Sequence, residues 1–334
     1  MSKRTAPHIR SDATGGKMMI DILLAAIPLG VFSFVNYGMR PVYILLLTVL
    51  TAMVSEAVCC LLGRRPMRAA LDGTAAVTGL LIGLMMSPMV DYWVPMVAAA
   101  AAICVVKAPF GGTGRNVFNP AAAGVAAATF CFPDKMFTYP AISHTPLPLT
   151  PVIPEGTVIT ELSLAAQLRA GAIPTQTSLN LLLGDFSGPI GGTAALILLA
   201  FMGYLLVHRT ISGWVVVPYL LTCVVMTWLF PMTGMNATYN TLTQLLSGYV
   251  LFAGVFLIND PVTTPRFWIG RIFYGIFTGC MVMAMQRIGR FEVGTCFAIL
   301  LMNAISPIID RWSWHGWHYL TRRLRIRKEV KAYE

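Results

Sequence analysis

The sequence predicts an all-α integral membrane protein of about ten transmembrane helices, arranged as two inverted-topology five-helix repeats. Three observations predict it. First, only 11% of the 334 residues are charged and 56% are hydrophobic, with mean hydropathy +0.70. A soluble domain is typically about 25% charged, so a bilayer is the natural solvent for this chain. Second, ten near-continuous apolar runs approach the roughly 20 residues that a spanning helix needs. Third, landmarks in the first half recur in the second at nearly one offset.

The first span is read at about 18–37, after a polar opening segment, 1–17, that predicts no cleavable signal. The second covers 41–62. The third, 73–89, is short and glycine-rich, with Asp72-Gly73 before it and Ser87-Pro88 at its end. The fourth is 92–109 and the fifth, alanine-rich, is 117–133; together these five form a first membrane bundle, 18–133. Residues 134–187 are polar, proline-rich and non-spanning, and predict an extracytoplasmic loop. The second bundle, 188–310, holds spans at 188–207, 213–230, 244–259, 268–286 and 293–310, the eighth ending in "NDPVTTP". A basic tail, 311–334, closes the chain and carries interfacial tryptophans suited to an anionic lipid surface.

The duplication rests on three echoes. "RPVYILLLTV" matches "VVPYLLTCVV", with Pro41 and Pro218 177 residues apart. "GLLIGLMMSP" matches "LFAGVFLINDP", with Pro88 and Pro261 173 apart, and Arg115 echoes Arg290 at 175. An odd number of spans per half inverts the second half, and such repeats place broken helices near the membrane centre, where half-helix ends meet ligands.

The formal charge of +10 points to nucleic acid only until the charges are placed. With a cytoplasmic N-terminus, 19 of the 24 Lys and Arg fall on the cytoplasmic side. The other five, Arg40, Lys135, Arg169, Arg287 and Arg290, fall outside. That is the positive-inside pattern with both termini cytoplasmic, and the partner it implies is the bilayer, with no nucleic acid. The seven cysteines lie within or at the edge of apolar runs, without a CxxC pair, and no histidine sits at metal-ligand spacing. They read as small packing residues, with an iron–sulfur cluster shared with a partner chain as the minor alternative, and no metal site is expected within the chain.

"FGGTGRNVFNP", 110–120, superficially suggests a phosphate cradle. It lacks the GxxxxGK-Ser/Thr order of a nucleotide loop and follows a membrane helix, with Lys107 ahead of the glycines. It also lacks the third glycine of a dinucleotide fingerprint, Val117 standing there. It predicts a tight cytoplasmic turn, with Asn116 or Asn119 capping the fifth helix and Pro120 in its first turn. Carboxylates in apolar surroundings are costly and often mark an ion path; the candidates are Asp21, Glu56, Asp72 and Asp260, and Asp310 lies near a predicted span end. The loop carries many hydroxyls but no Ser/His/Asp constellation, His144 being its one histidine.

The stretch "LLSGYVLFAGVFLINDPVTTPRFWIGRIFYGIFTG", 245–279, continued by "FEVGTCFAILLMNAISPIIDR", 291–311, resembles a known family. "PHIR", 7–10, "AAVTGLLIGL", 75–84, "FGGTGRNVFNPAAAG", 110–124, and "LNLLLGDFSGPIGGTAAL", 179–196, fit the same pattern. The chain is similar to the RnfD component of the Rnf ion-translocating electron-transport complex and to its sibling, the NqrB component of the sodium-pumping NADH:quinone reductase. The resemblance implies ten helices in two inverted halves. It implies electron transfer between ferredoxin and NAD coupled to sodium or proton movement, as one component of a translocase without stand-alone activity. It implies the G, A, E and C components of the Rnf complex as partners, and a bacterial inner-membrane location. It also implies FMN joined through a phosphoester to an outer-side threonine, with riboflavin as a further candidate.

The tether motif of that family, Ser-Gly-Ala-Thr-Pro-Leu before Leu-Lys-x-Gly, is altered here. Counting back from "LRAG", 168–171, places Thr160-Glu161-Leu162-Ser163 over it, so Ser163 stands at the acceptor position. Glu161 and Leu162 replace the small residues, and the Glu161 carboxylate would repel a phosphate. Thr145 in "SHTPL" and Thr160 are lower-ranked acceptors. The reading from another class is a secondary transporter or channel with inverted repeats and no redox cofactor.

Overall fold

The computed structural model describes residues 15–333 apart from 68–69, 71, 143–144, 155, 233, 235 and 289–293. Lys3, Arg4, Arg10, Arg68 and Arg290, with Ser143 and His144 of the loop, lie outside the described residues, as do the side chains of the tail cations from Arg322 to Lys331.

The first helical hairpin is α1, Gly15–Tyr37, and α2, Met39–Leu62, turned at Gly38 with φ 76°. Each is long enough to cross about 30 Å of hydrocarbon at 1.5 Å per residue. α3, Thr74–Leu84, is a half-length helix. The chain then breaks and returns as α4, Trp93–Ala101, which continues into a π-helical turn, Ala102–Lys107. The glycine turn follows: Gly111, Gly112 and Gly114 have φ of 116°, 88° and 83°, backbone that a side chain would strain. It leads into α5, Pro120–Cys131, where Asn119 accepts from the Ala122 amide at 3.2 Å with Pro120 at the first position.

The excursion that follows carries secondary structure of its own among the described residues. It holds α6, Pro133–Met136, and a two-stranded antiparallel ladder of β1, Tyr139–Pro140, on β2, Thr160–Glu161. α7, Leu164–Arg169, is capped by Ser163; α8, Ser178–Leu183, is capped by Thr177. The second bundle is α9, Ala195–Val207, α10, Gly213–Leu229, and α11, Ala237–Leu246, then α12, Tyr249–Phe252, which runs into a π turn, Ala253–Leu257. α13, Trp268–Ile288, and α14, Gly294–Tyr333, complete it.

α1, α2 and α13 are each long and apolar enough to cross a membrane, and α11 with α12 passes as one span bent by 58°. α3, α4 with its π turn, α5, α9 and α10 are apolar but shorter, between 10 and 17 residues. The basic tail, expected as a separate surface segment, instead continues α14. That helix has 40 residues, about 60 Å at 1.5 Å per residue, twice the hydrocarbon thickness.

Close helix contacts use missing side chains. A Cβ at Gly79 of α3 would lie 2.6 Å from the Thr48 carbonyl of α2, and one at Gly275 of α13 would lie 2.5 Å from the Val215 carbonyl of α10. Membrane helices associate by such close packing, because lipid gives apolar contacts no hydrophobic advantage. One apolar core runs through both bundles, from Ala25 to Ile309.

Candidate functional site

Two interruptions of the helical backbone organise the centre of the molecule, and residues distant in sequence close each of them. Unpaired carbonyls in a bilayer cost several kcal/mol each, so their partners show what holds the breaks. After α3, the Leu84 and Met86 carbonyls accept from the Gly191 and Ile190 amides at 2.6 and 2.9 Å, and Met85 accepts from the Tyr249 hydroxyl at 2.9 Å. Arg40, fully buried at 0% exposure, donates to Pro88, Met89 and Val90 at 3.0, 3.5 and 3.0 Å and to Pro148 at 2.9 Å. It also donates to Thr150, and its guanidinium lies 4.7 Å from the centre of the Tyr92 ring. Arg40 therefore joins the break after α3 to the long loop.

The break after α12 is braced in the opposite sense. Asn119, whose oxygen caps α5, donates through Nδ2 to the Leu257 carbonyl at 3.0 Å. Asn259 accepts from the Ser212 amide at 3.1 Å and donates to Gly254 at 3.0 Å. Asp260 accepts from Asn116 at 3.3 Å and from the Val262 amide at 3.1 Å. Each bundle thus supplies hydrogen bonds that complete the other's broken helix.

A cavity of about 110 Å³ lies beside the second break, its polar lining including Thr74, Lys107, Thr113, Asn116, Asn119 and Asp260. Both π turns border it, through Lys107 and through Val255 and Phe256; π turns in helices occur frequently at functional sites. Lys107, 3% exposed, bridges to Glu56, 5% exposed, at 2.7 Å and donates to Thr74 at 2.5 Å. Thr74 donates to Asp72 at 2.5 Å, and Thr113 donates to the same carboxylate at 2.7 Å. The ammonium of Lys107 therefore sits between a buried carboxylate and, through one hydroxyl, a carboxylate at the molecular surface. Burial alone would raise the Asp72 carboxyl; the hydrogen bonds from Thr74 and Thr113 and the Lys107 charge outweigh it and hold the group below its usual 3.8.

Of the four carboxylates expected to mark an ion path, the structure brings Glu56, Asp72 and Asp260 to this region. Asp21 stands apart, accepting from Thr210 at 2.6 Å and Tyr204 at 3.5 Å, where it ties α1 to the end of α9. Asp310 accepts from the Phe267 amide at 2.9 Å ahead of α13. The glycines at 111–114 form the expected turn. Sequence reasoning places Lys107 and Arg40 as topology charges and misses their roles; the signal is a cation at the edge of an apolar run, which a bilayer tolerates only with partners.

At the acceptor position expected for flavin, Ser163 accepts from the Ala166 amide at 3.1 Å and is 5% exposed. The Glu161 carboxylate accepts from Ser187 at 2.9 Å, which partly satisfies its charge. Thr145 and Thr160 are exposed. Among the described residues, the buried hydroxyls of Ser33 and Tyr37, one turn apart on α1, have no hydrogen-bond partner. The Ser163 hydroxyl has the chemistry a phosphoester needs, and its oxygen, once esterified, could still accept from Ala166; the neighbouring Glu161 carboxylate opposes a phosphate there. Among the described residues no group of His, Cys, Asp and Glu could hold a metal ion.

Fold and cavity define a class: a multi-pass helical membrane protein whose two bundles meet at broken helices around buried charge. The chain belongs to the NQR2, RnfD, RnfE family, whose model matches residues 2–315. It is 30% identical to the D component of the Na(+)-translocating ferredoxin:NAD(+) oxidoreductase complex of Acetobacterium woodii, over 98% of this chain and 97% of that one. It is 29% identical to the D component of the ion-translocating oxidoreductase complex of Halorhodospira halophila, over 92% of each chain. It is 27% identical to the D component of the proton-translocating ferredoxin:NAD(+) oxidoreductase complex of Clostridium ljungdahlii, over 92% of this chain and 93% of the other.

Proposed function

We infer that this chain is a membrane component of a redox-driven ion pump that couples electron transfer between ferredoxin and NAD to sodium or proton translocation. The observation that carries the reading is the near full-length relation to the D components of three ion-translocating oxidoreductases. The G, A, E and C components of the Rnf complex are then its partners, in a bacterial inner membrane with both termini cytoplasmic and the 134–187 loop outside. The five-plus-five inverted arrangement is supported by the recurring landmarks and by one broken helix in each bundle, ending near Pro88 and Pro261.

The ion path we propose enters at Asp72, passes Thr74 and Lys107 to Glu56, and borders Asp260. A cation next to Glu56 competes with the Lys107 ammonium for one carboxylate, since two positive charges in that space repel. Displaced, the ammonium has Thr74 and then Asp72 within its chain of hydrogen bonds. Lys107 would so act as a resident counter-charge that leaves when the transported ion arrives. Moving one charge across 100 mV costs about 2.3 kcal/mol, and redox change meets that cost only by altering the affinity or geometry of this path.

FMN joined to the Ser163 oxygen, with Thr145 and Thr160 as lesser acceptors and riboflavin as a further flavin, would supply one- and two-electron transfer at the loop side. Ser163 would hold the phosphate. Because Ser163 is 5% exposed, attachment would have to precede closure of the loop over α7. Coexpression with the partner components and a flavin transferase, followed by in-gel fluorescence after denaturation, tests the cofactor. Fluorescence lost in Ser163→Ala is expected; fluorescence retained there rules out that tether, and a colourless assembled complex favours a transporter without a redox group.

A further inference from the structure

Beside the Glu56–Lys107 pair, a second pair of side chains joins the same two elements. Cys59 of α2 and Cys104 of the π turn have their sulfurs 3.7 Å apart, with Cys59 partly exposed and Cys104 exposed. Cys59 lies three residues after Glu56 on α2, and Cys104 three residues before Lys107. The thiol contact and the ion pair thus bridge α2 and the π turn about one turn apart. A disulfide bond measures about 2.05 Å between sulfurs, so closing it needs an approach of less than 2 Å from the contact already made. The other cysteines make no comparable contact with one another among the described residues.

We propose that Cys59 and Cys104 form a reversible disulfide that pins the π turn of α4 to α2. The oxidant class is peroxide. One thiol sulfur attacks hydrogen peroxide, giving a sulfenic acid and water; the second thiol displaces the hydroxyl, forming the sulfur–sulfur bond and a second water. Two thiols and one peroxide become one disulfide and two waters, and a small thiol reverses the bond by exchange. The consequence rests on the ion path proposed above. Lys107 must move from Glu56 for an ion to pass, and a covalent bridge one turn away fixes the segment that carries it.

The experiment treats the assembled, membrane-embedded complex with hydrogen peroxide, blocks free thiols, and maps cross-linked peptides by mass spectrometry while ion uptake is measured on the same samples. The expected result is a Cys59–Cys104 peptide pair lacking two hydrogens, formed before Cys131 is oxidised, with loss of ion uptake that dithiothreitol restores. Cys59→Ser and Cys104→Ser should each transport normally and keep transporting after peroxide. Separate oxidation of the two sulfurs to sulfinic or sulfonic acids without a cross-link overturns the proposal. Uptake that continues with the disulfide formed overturns the pinning role. Failure of ion uptake in the untreated complex would count against the pump reading instead, and the cross-link map would still decide the thiol chemistry.

Discussion

Arg40 shows what a single residue contributes to this molecule. It sits without exposure and gives hydrogen bonds to five carbonyls, three from the break after α3 and two from the loop. Each buried acceptor left unpaired costs about 1–3 kcal/mol. Arg40→Met should therefore lower the thermal stability of the purified complex strongly, and Arg40→Lys, which keeps the charge but not the fork of donors, should fall between; equal stability of all three would contradict its role as a bridge. Asp72 makes a prediction in pH. Its carboxyl is held below the usual 3.8, so its contribution is full above that value and is lost as pH falls through the lower folded value. The stability difference between the wild type and Asp72→Asn should stay constant from neutral pH to the usual carboxylate value and close only below it, as followed by thermal melts across pH. At this scale the sequence is partly legible. A carboxylate in an apolar run is visible as a cost, which marks Asp21, Glu56, Asp72 and Asp260 alike without saying which of them share a site. The partner that offsets the cost is not visible, because Lys107 is 51 residues away and only the return of α4 beside α2 brings it near.

Among the elements, the interrupted helices can be read from Ser87-Pro88 and Asn259-Asp260-Pro261, since proline ends a helix and removes a donor. The structure adds a third interruption, the 58° bend between α11 and α12 at Ser247-Gly248. The π turns cannot be read, because a π turn adds one residue to a helix whose composition stays the same. The cap at Asn119 is legible as Asn-Pro, but its second bond to the Leu257 carbonyl is not. Asn119→Ala should cost about 1 kcal/mol for the cap and about 1–3 kcal/mol more for the stranded carbonyl. Asn119→Ser restores the cap without the reach to Leu257 and should recover only the first part, measured as denaturation midpoints in detergent. Gly79→Ala tests the α2–α3 contact: its new methyl would lie 2.6 Å from the Thr48 carbonyl, and it should destabilise although alanine is the better helix former.

In the whole molecule, composition alone establishes a membrane protein, because 11% charge cannot solvate a chain of this length. Charge placement predicts the sidedness, and the match over residues 2–315 places the chain in its family. What composition cannot convey is how the halves hold each other, with Gly191, Ile190 and Tyr249 closing the first break and Asn116 and Asn119 bracing the second. These cross-bundle hydrogen bonds tie the two halves to each other at both breaks. The proposed ion path runs by way of Glu56 as Lys107 yields. The direct measurement is ion uptake per electron transferred from ferredoxin to NAD, in vesicles containing the assembled complex with wild-type chain or Glu56→Gln. Glu56→Gln is expected to assemble and transfer electrons while uptake per electron falls to background. Uptake per electron equal to wild type would contradict it.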